Sequence, residues 1–180
     1  MGIGGVDQHT AAPASSGGLA LLTSGTVSAA AALDIPLTAY TAYEGFLFVL
    51  REFIPATDNT ALWIRFSTDG GSSFDAGASD YTARGPEVAP TTAAQISILI
   101  TLGNGAAEGM DTEVRILNAG TAAQKTRLFS LSSGYRADDG SPIGTNVYAY
   151  RNTAQDTDAV RFLFSSGNIA SGKYAVYGYV

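Results

Sequence analysis

The sequence predicts an all-β fold: an antiparallel β-sandwich of the jelly-roll kind, with roughly nine or ten strands. Three observations carry this. Short apolar or alternating segments recur every 8–15 residues or so, with turn residues between them. No segment of about 12 residues or more holds a 3.6-residue period. The 180-residue chain also has 9 Tyr, 8 Phe and 21 Gly but only 14% charged residues, where an ordinary domain has about 25%. A chain of this length fits one domain with one core.

Residues 1–18 are rich in Gly, Ala, Ser and Pro. They read as an N-terminal arm, either flexible or ordered only against a partner subunit. Residues 19–180 read as the sandwich. Leu19–Thr23 and Leu33–Leu37 are short apolar runs, and Pro36 places the second near an edge or bulge. Ala29–Ala32 is compatible with a single helical turn, too short to stand alone. Gly45–Ile54 is apolar on both alternating sets, as in a strand covered on both faces. Ala61–Ser67 alternates cleanly, with Leu62, Ile64 and Phe66 on one side and Trp63, Arg65 and Ser67 on the other.

Residues 75–95 carry Gly85-Pro86 and Ala89-Pro90 and few apolar anchors. They read as the longest surface loop, the place where binding chemistry tends to sit. Strands follow at Gln95–Leu102, Thr112–Asn118, Lys125–Tyr135, Asn146–Tyr150, Ala159–Phe164 and Lys173–Val180.

Composition also excludes function classes. Net charge is −6, the only lysines are Lys125 and Lys173, and no basic run occurs. Nucleic acid and anionic membrane are therefore not expected partners. The longest apolar run, Gly45–Leu50, is strand length, so no membrane insertion is expected. Residues 1–7 lack the basic and apolar regions of a secretion signal, so release by lysis is the expected route out of a cell.

There is no cysteine, and the single histidine, His9, lies in the arm. Zinc sites and His-dependent triads thus lack a ligand or base set. No Gly-rich phosphate loop opens a helix. Two carboxylates could in principle serve a glycosidase, but nothing in the sequence brings Glu44, Glu52, Glu87, Glu108 or Glu113 together. Glu52, beside Arg51, reads as half of an exposed cross-strand ion pair. Asp138-Asp139 and Asp156-Thr157-Asp158 read as solvated turns rather than calcium loops. No catalytic residue, metal ligand or cofactor is assigned, and the chain is not expected to be an enzyme.

Ser67-Thr68-Asp69-Gly70-Gly71-Ser72-Ser73-Phe74 matches the S-x-D-x-G-x-[ST]-[WF] pattern of the Asp-box hairpin. In that hairpin the aspartate accepts turn amides, glycine supplies positive φ and the aromatic packs beneath. It is a structural motif, present once.

Three stretches carry a family resemblance: Gly45 to Asp58, Leu62 to Asp75 followed by Ser79-Asp80-Tyr81, and the ending Gly167 to Val180. They resemble small β-sandwich structural proteins of tailed bacteriophages and gene transfer agents, in which a final strand closes the sandwich with a Tyr-Gly pair. The resemblance implies a virion subunit on a tail fibre, tail tip or head surface. Its implied partners are other copies of itself (a trimer among the forms weighed), other virion proteins and host surface glycan. It carries over no catalytic residue. A head decoration or cement subunit and a cellular carbohydrate-binding module are the alternatives. For any ligand surface the expected contacts are Tyr81 and Arg84 in the 75–95 loop, with Tyr148 and Tyr150.

Overall fold

The computed structural model describes residues 18–85 and 91–179. The expected arm lies outside them except for its last residue. Twelve strands run in chain order. They are β1 (Leu19–Ala30), β2 (Leu33–Pro36), β3 (Gly45–Pro55), β4 (Thr60–Ser67), β5 (Tyr81–Arg84) and β6 (Thr91–Ala93). Then come β7 (Ile96–Leu102), β8 (Met110–Leu117), β9 (Arg127–Tyr135), β10 (Pro142–Arg151), β11 (Ala159–Phe164) and β12 (Ile169–Tyr179).

They form two sheets that pack face to face as a β-sandwich. The larger has eight strands, β1-β12-β3-β8-β9-β10-β5-β6, and the smaller four, β2-β11-β4-β7. Every pairing is antiparallel. The all-β, antiparallel expectation therefore holds for the described residues.

Period-2 alternation decides which side chains meet between the sheets. Phe46, Phe48 and Leu50 of β3, Val114 and Ile116 of β8 and Leu128 of β9 face inward from the large sheet. Leu62, Ile64 and Phe66 of β4 and Phe162 and Phe164 of β11 face them. Aromatic pairs cross the gap: Phe48–Phe162 at 5.5 Å between centroids, Phe53–Phe164 at 6.0 Å and Phe66–Tyr81 at 5.7 Å. At Gly172 of β12, a β-carbon would lie 2.3 Å from the Phe53 ring, so only glycine lets that ring close the core there.

Three expectations need correction. The 75–95 stretch is not one loop, because β5 and β6 extend the large sheet from within it. Ala29 and Ala30 are not a helical turn. They end β1, where Ala30 pairs with Ile169 and Ala29 has φ +51°. The strands number twelve among the described residues rather than nine or ten, because β5 and β6 form inside the 75–95 stretch.

The Asp-box hairpin forms as its residues require. Asp69 Oδ1 accepts from Ser73 N at 2.9 Å and from Ser67 Oγ at 2.7 Å, and Oδ2 accepts from Ser73 Oγ at 2.6 Å. Those bonds hold its carboxyl down at about 2, with the Ser73 hydroxyl the largest cause. Gly70 and Gly71 take φ of +70° and +92°. Phe74 packs beneath the turn and under the Arg161 guanidinium, 4.0 Å from ring centroid to Cζ. Arg161 is itself held in a two-pronged ion pair by Asp34 at 2.7 Å. Glu52 forms the expected exposed cross-strand ion pair, with Lys173 of β12 at 2.7 Å.

Candidate functional site

The four candidate contacts separate. Tyr81 is fully buried on the inner side of β5. Its hydroxyl accepts a hydrogen bond from Phe66 N at 2.7 Å and donates to Asp75 O at 3.3 Å. Beside it, paired across β5 and β10, lies Arg151, 2% exposed. The Arg151 guanidinium is ion-paired to Asp75 and donates from Nη1 to Asp156 O at 3.0 Å. Burial pushes the Asp75 carboxyl up and Arg151 opposes it, while burial pushes the Tyr81 phenol up as well. This cluster ties the end of the Asp-box hairpin to the large sheet. Tyr81 is thus a core residue, and its side chain is removed from the ligand contacts. Its alternation with Arg84 across Thr82 and Ala83 was the available signal, masked by the surrounding glycines and prolines.

Arg84, Tyr148 and Tyr150 are exposed on the outer face of the large sheet. Register joins them to residues the sequence had not linked. Arg84 pairs with Tyr148, Tyr148 with Phe129, and Phe129 with Arg115. These four form one cross-strand row, two rings between two guanidinium groups, and three strand spacings span roughly 14 Å. The rings meet edge to face, 5.5 Å between centroids and 87° between planes. The neighbouring row is Tyr150, Arg127 and Leu117. Lys125 Nζ lies 4.9 Å from the Tyr150 ring centroid.

Large apolar side chains gather on this face. The exposed large apolar or aromatic side chains are Leu19, Leu21, Ile100, Leu117, Phe129, Leu131, Tyr135, Tyr148 and Tyr150. All except Ile100 project from the outer face of the large sheet. A shallow groove of about 570 Å³ runs among them, lined by Arg115, Leu117, Phe129, Leu131, Tyr148 and Tyr179, with Glu113 and Asn146 at its side.

Charge adds to this. Four of the chain's 10 cations, Arg84, Arg115, Lys125 and Arg127, sit on or beside this patch. Among the described residues the ion pairs are Arg136–Asp138, Arg151–Asp75, Arg161–Asp34 and Lys173–Glu52, so none of those four is engaged. In a chain of net charge −6, these four cations gather here, with Glu113 as the groove's acidic neighbour. Chemically it offers flat rings for the apolar faces of a ligand, and fork-shaped donors for carboxylate or sulfate.

A second depression, about 580 Å³, lies between β7 and β10 and is lined by Ile98, Leu99, Ile143 and Val147. It is bordered by Gly85 and Thr91, which flank residues outside the described set. Among the described residues no three acidic or histidine side chains converge as metal ligands would. Asp139 instead accepts from Ser141 N at 2.9 Å within its own turn.

No protein-family model, curated protein or solved structure matches this chain.

Proposed function

We propose that this chain is a structural recognition subunit of a tailed-phage virion, carried on a tail fibre or tail tip. Its binding surface is the outer face of the large sheet, and its ligand is a host surface saccharide bearing carboxylate or sulfate groups. One observation carries the binding surface: rings and cations outside any ion pair among the described residues gather on a single sheet face, with Arg84–Tyr148–Phe129–Arg115 at its centre. Ring faces stack on the apolar C–H faces of sugars, and guanidinium groups take anionic substituents in two-pronged hydrogen bonds. The virion placement rests on the family resemblance of the strand and hairpin segments. On this reading the chain does no catalysis and needs no cofactor.

The same face would serve a carbohydrate-binding module of a cellular protein, and the exposed Tyr148 and Tyr150 on that one face favour it as the second reading. A glycan array tests the binding claim. Wild type is expected to retain acidic saccharides over neutral ones, more weakly as ionic strength rises, since exposed charges are screened within about 8–10 Å. Arg84→Ala and Tyr148→Ala should each lose that signal. Retention of neutral and acidic saccharides alike, unchanged by either variant, overturns it. Immunogold labelling of particles separates the two placements: label on the tail supports the virion reading, and its absence from particles contradicts it.

A further inference from the structure

Four strands end the two sheets: β1 and β6 in the large one, β2 and β7 in the small one. An open edge offers unpaired N–H and C=O groups to any other chain, and proteins blunt such edges with short length, charge, proline or bulges. Three of the four are blunted. Strand β6 has three residues. Strand β2 has four, carries Asp34 in its ion pair with Arg161, and ends at Pro36. Strand β7 is irregular against β4, and its Thr101 sits at φ +58°.

Strand β1 is the exception. It is 12 residues long, Leu-Ala-Leu-Leu-Thr-Ser-Gly-Thr-Val-Ser-Ala-Ala, with no charged residue and no proline. Its one register shift falls between Leu21 and Thr23, and from Thr23 to Ser28 it pairs regularly with β12. Among the described residues nothing pairs with its other edge.

We propose that β1 pairs antiparallel with β1 of a second copy of this chain about a two-fold axis, joining two large sheets into one continuous sheet. The composition of the strand selects the occupant. Around a two-fold axis, residue i of one strand faces residue j of the other and j faces i; with Thr26 on the axis it meets its own copy and Ser24 faces Ser28, so a charge at the axis would meet a like charge at short range. β1 has none, and its outward-facing Ser24, Thr26 and Ser28 form favourable hydroxyl pairs across an antiparallel ladder. Addition of a strand at an open edge is a general recognition mode whose affinity comes from main-chain hydrogen bonds. With the axis normal to the sheet, both outer faces point the same way. Two Arg84–Tyr148–Phe129–Arg115 rows would then be offered together to one surface, which raises avidity without new contacts.

Light scattering on the full chain tests this independently of any ligand. The expected mass is twice 18.5 kDa, and the Ser24→Lys/Thr26→Lys variant should be monomeric with an unchanged far-ultraviolet spectrum. The chain is free of cysteine, so single-cysteine variants at each position from Thr23 to Ser28 report register: oxidation should cross-link one position most and its neighbours less. Deletion of residues 2–17 should leave the dimer intact. A monomer at every concentration, a dimer untouched by the lysine pair, or a dimer lost with residues 2–17 overturns the proposal.

Discussion

Replacing Tyr81 with phenylalanine separates a core residue from a contact residue. The ring stays, so the packing against Phe66 at 5.7 Å is kept and no cavity opens. What is lost is the hydroxyl, which accepts from Phe66 N at 2.7 Å and donates to Asp75 O at 3.3 Å. Phe66 N–H is then a buried donor without a partner, which costs about 1–3 kcal/mol. The Asp75 carbonyl adds little, because a carbonyl tolerates under-satisfaction better than an amide. The expected loss is therefore about 1–3 kcal/mol, or roughly 3–9 °C in Tm for a domain of this size. Urea unfolding should show a lower midpoint with the slope unchanged. Binding of acidic saccharide should be unaffected, since Tyr81 does not reach the outer face. A stability change below about 0.5 kcal/mol, the range of ordinary surface substitutions, would refute the tether. Loss of binding with stability intact would return Tyr81 to the ligand surface.

Phe162→Ala should cost about 3–5 kcal/mol in the same assay, because it empties the core opposite Phe48. Gly172→Ala should cost about 1–3 kcal/mol, since its β-carbon would lie 2.3 Å from the Phe53 ring. The Asp69 carboxyl is held at about 2, below its ordinary 3.8. Its contribution to stability is thus fully present above about pH 4 and is lost as pH falls through about 2. Acid titration of Asp69→Asn should lack that segment of the curve. Arg84→Ala and Tyr148→Ala should leave unfolding within about 0.5 kcal/mol of wild type, as measured by urea midpoint.

Strands with one wet face were legible as strict alternation: β4, β8 and β11 fall within a residue or two of their expected limits. Strand β3 was legible through its apolar run Gly45–Leu50, but it is not covered on both faces as expected: Val49 is half-buried and Arg51 and Glu52 are exposed. Small hydroxyl residues concealed β1 beyond Thr23, because Ser, Thr and Gly carry little periodic signal and their strand is held by pairing with β12. Glycine and proline concealed β5, whose Tyr81 and Ala83 face inward only because β10 lies beside them. The site was half visible. Arg84, Tyr148 and Tyr150 could be named as exposed candidates, but Arg115, Arg127 and Phe129 join them only through the register of four strands. Register is a long-range property that no local pattern states.

The most direct measurement is an amide chemical-shift map of the isotope-labelled protein, titrated with a carboxylate-bearing oligosaccharide. Shifts are expected to concentrate on β8, β9, β10 and β5, strongest along Arg84, Tyr148, Phe129 and Arg115, with the β4 and β11 amides unmoved. Shifts gathered instead around the depression between β7 and β10, or none at saturating saccharide, would contradict it.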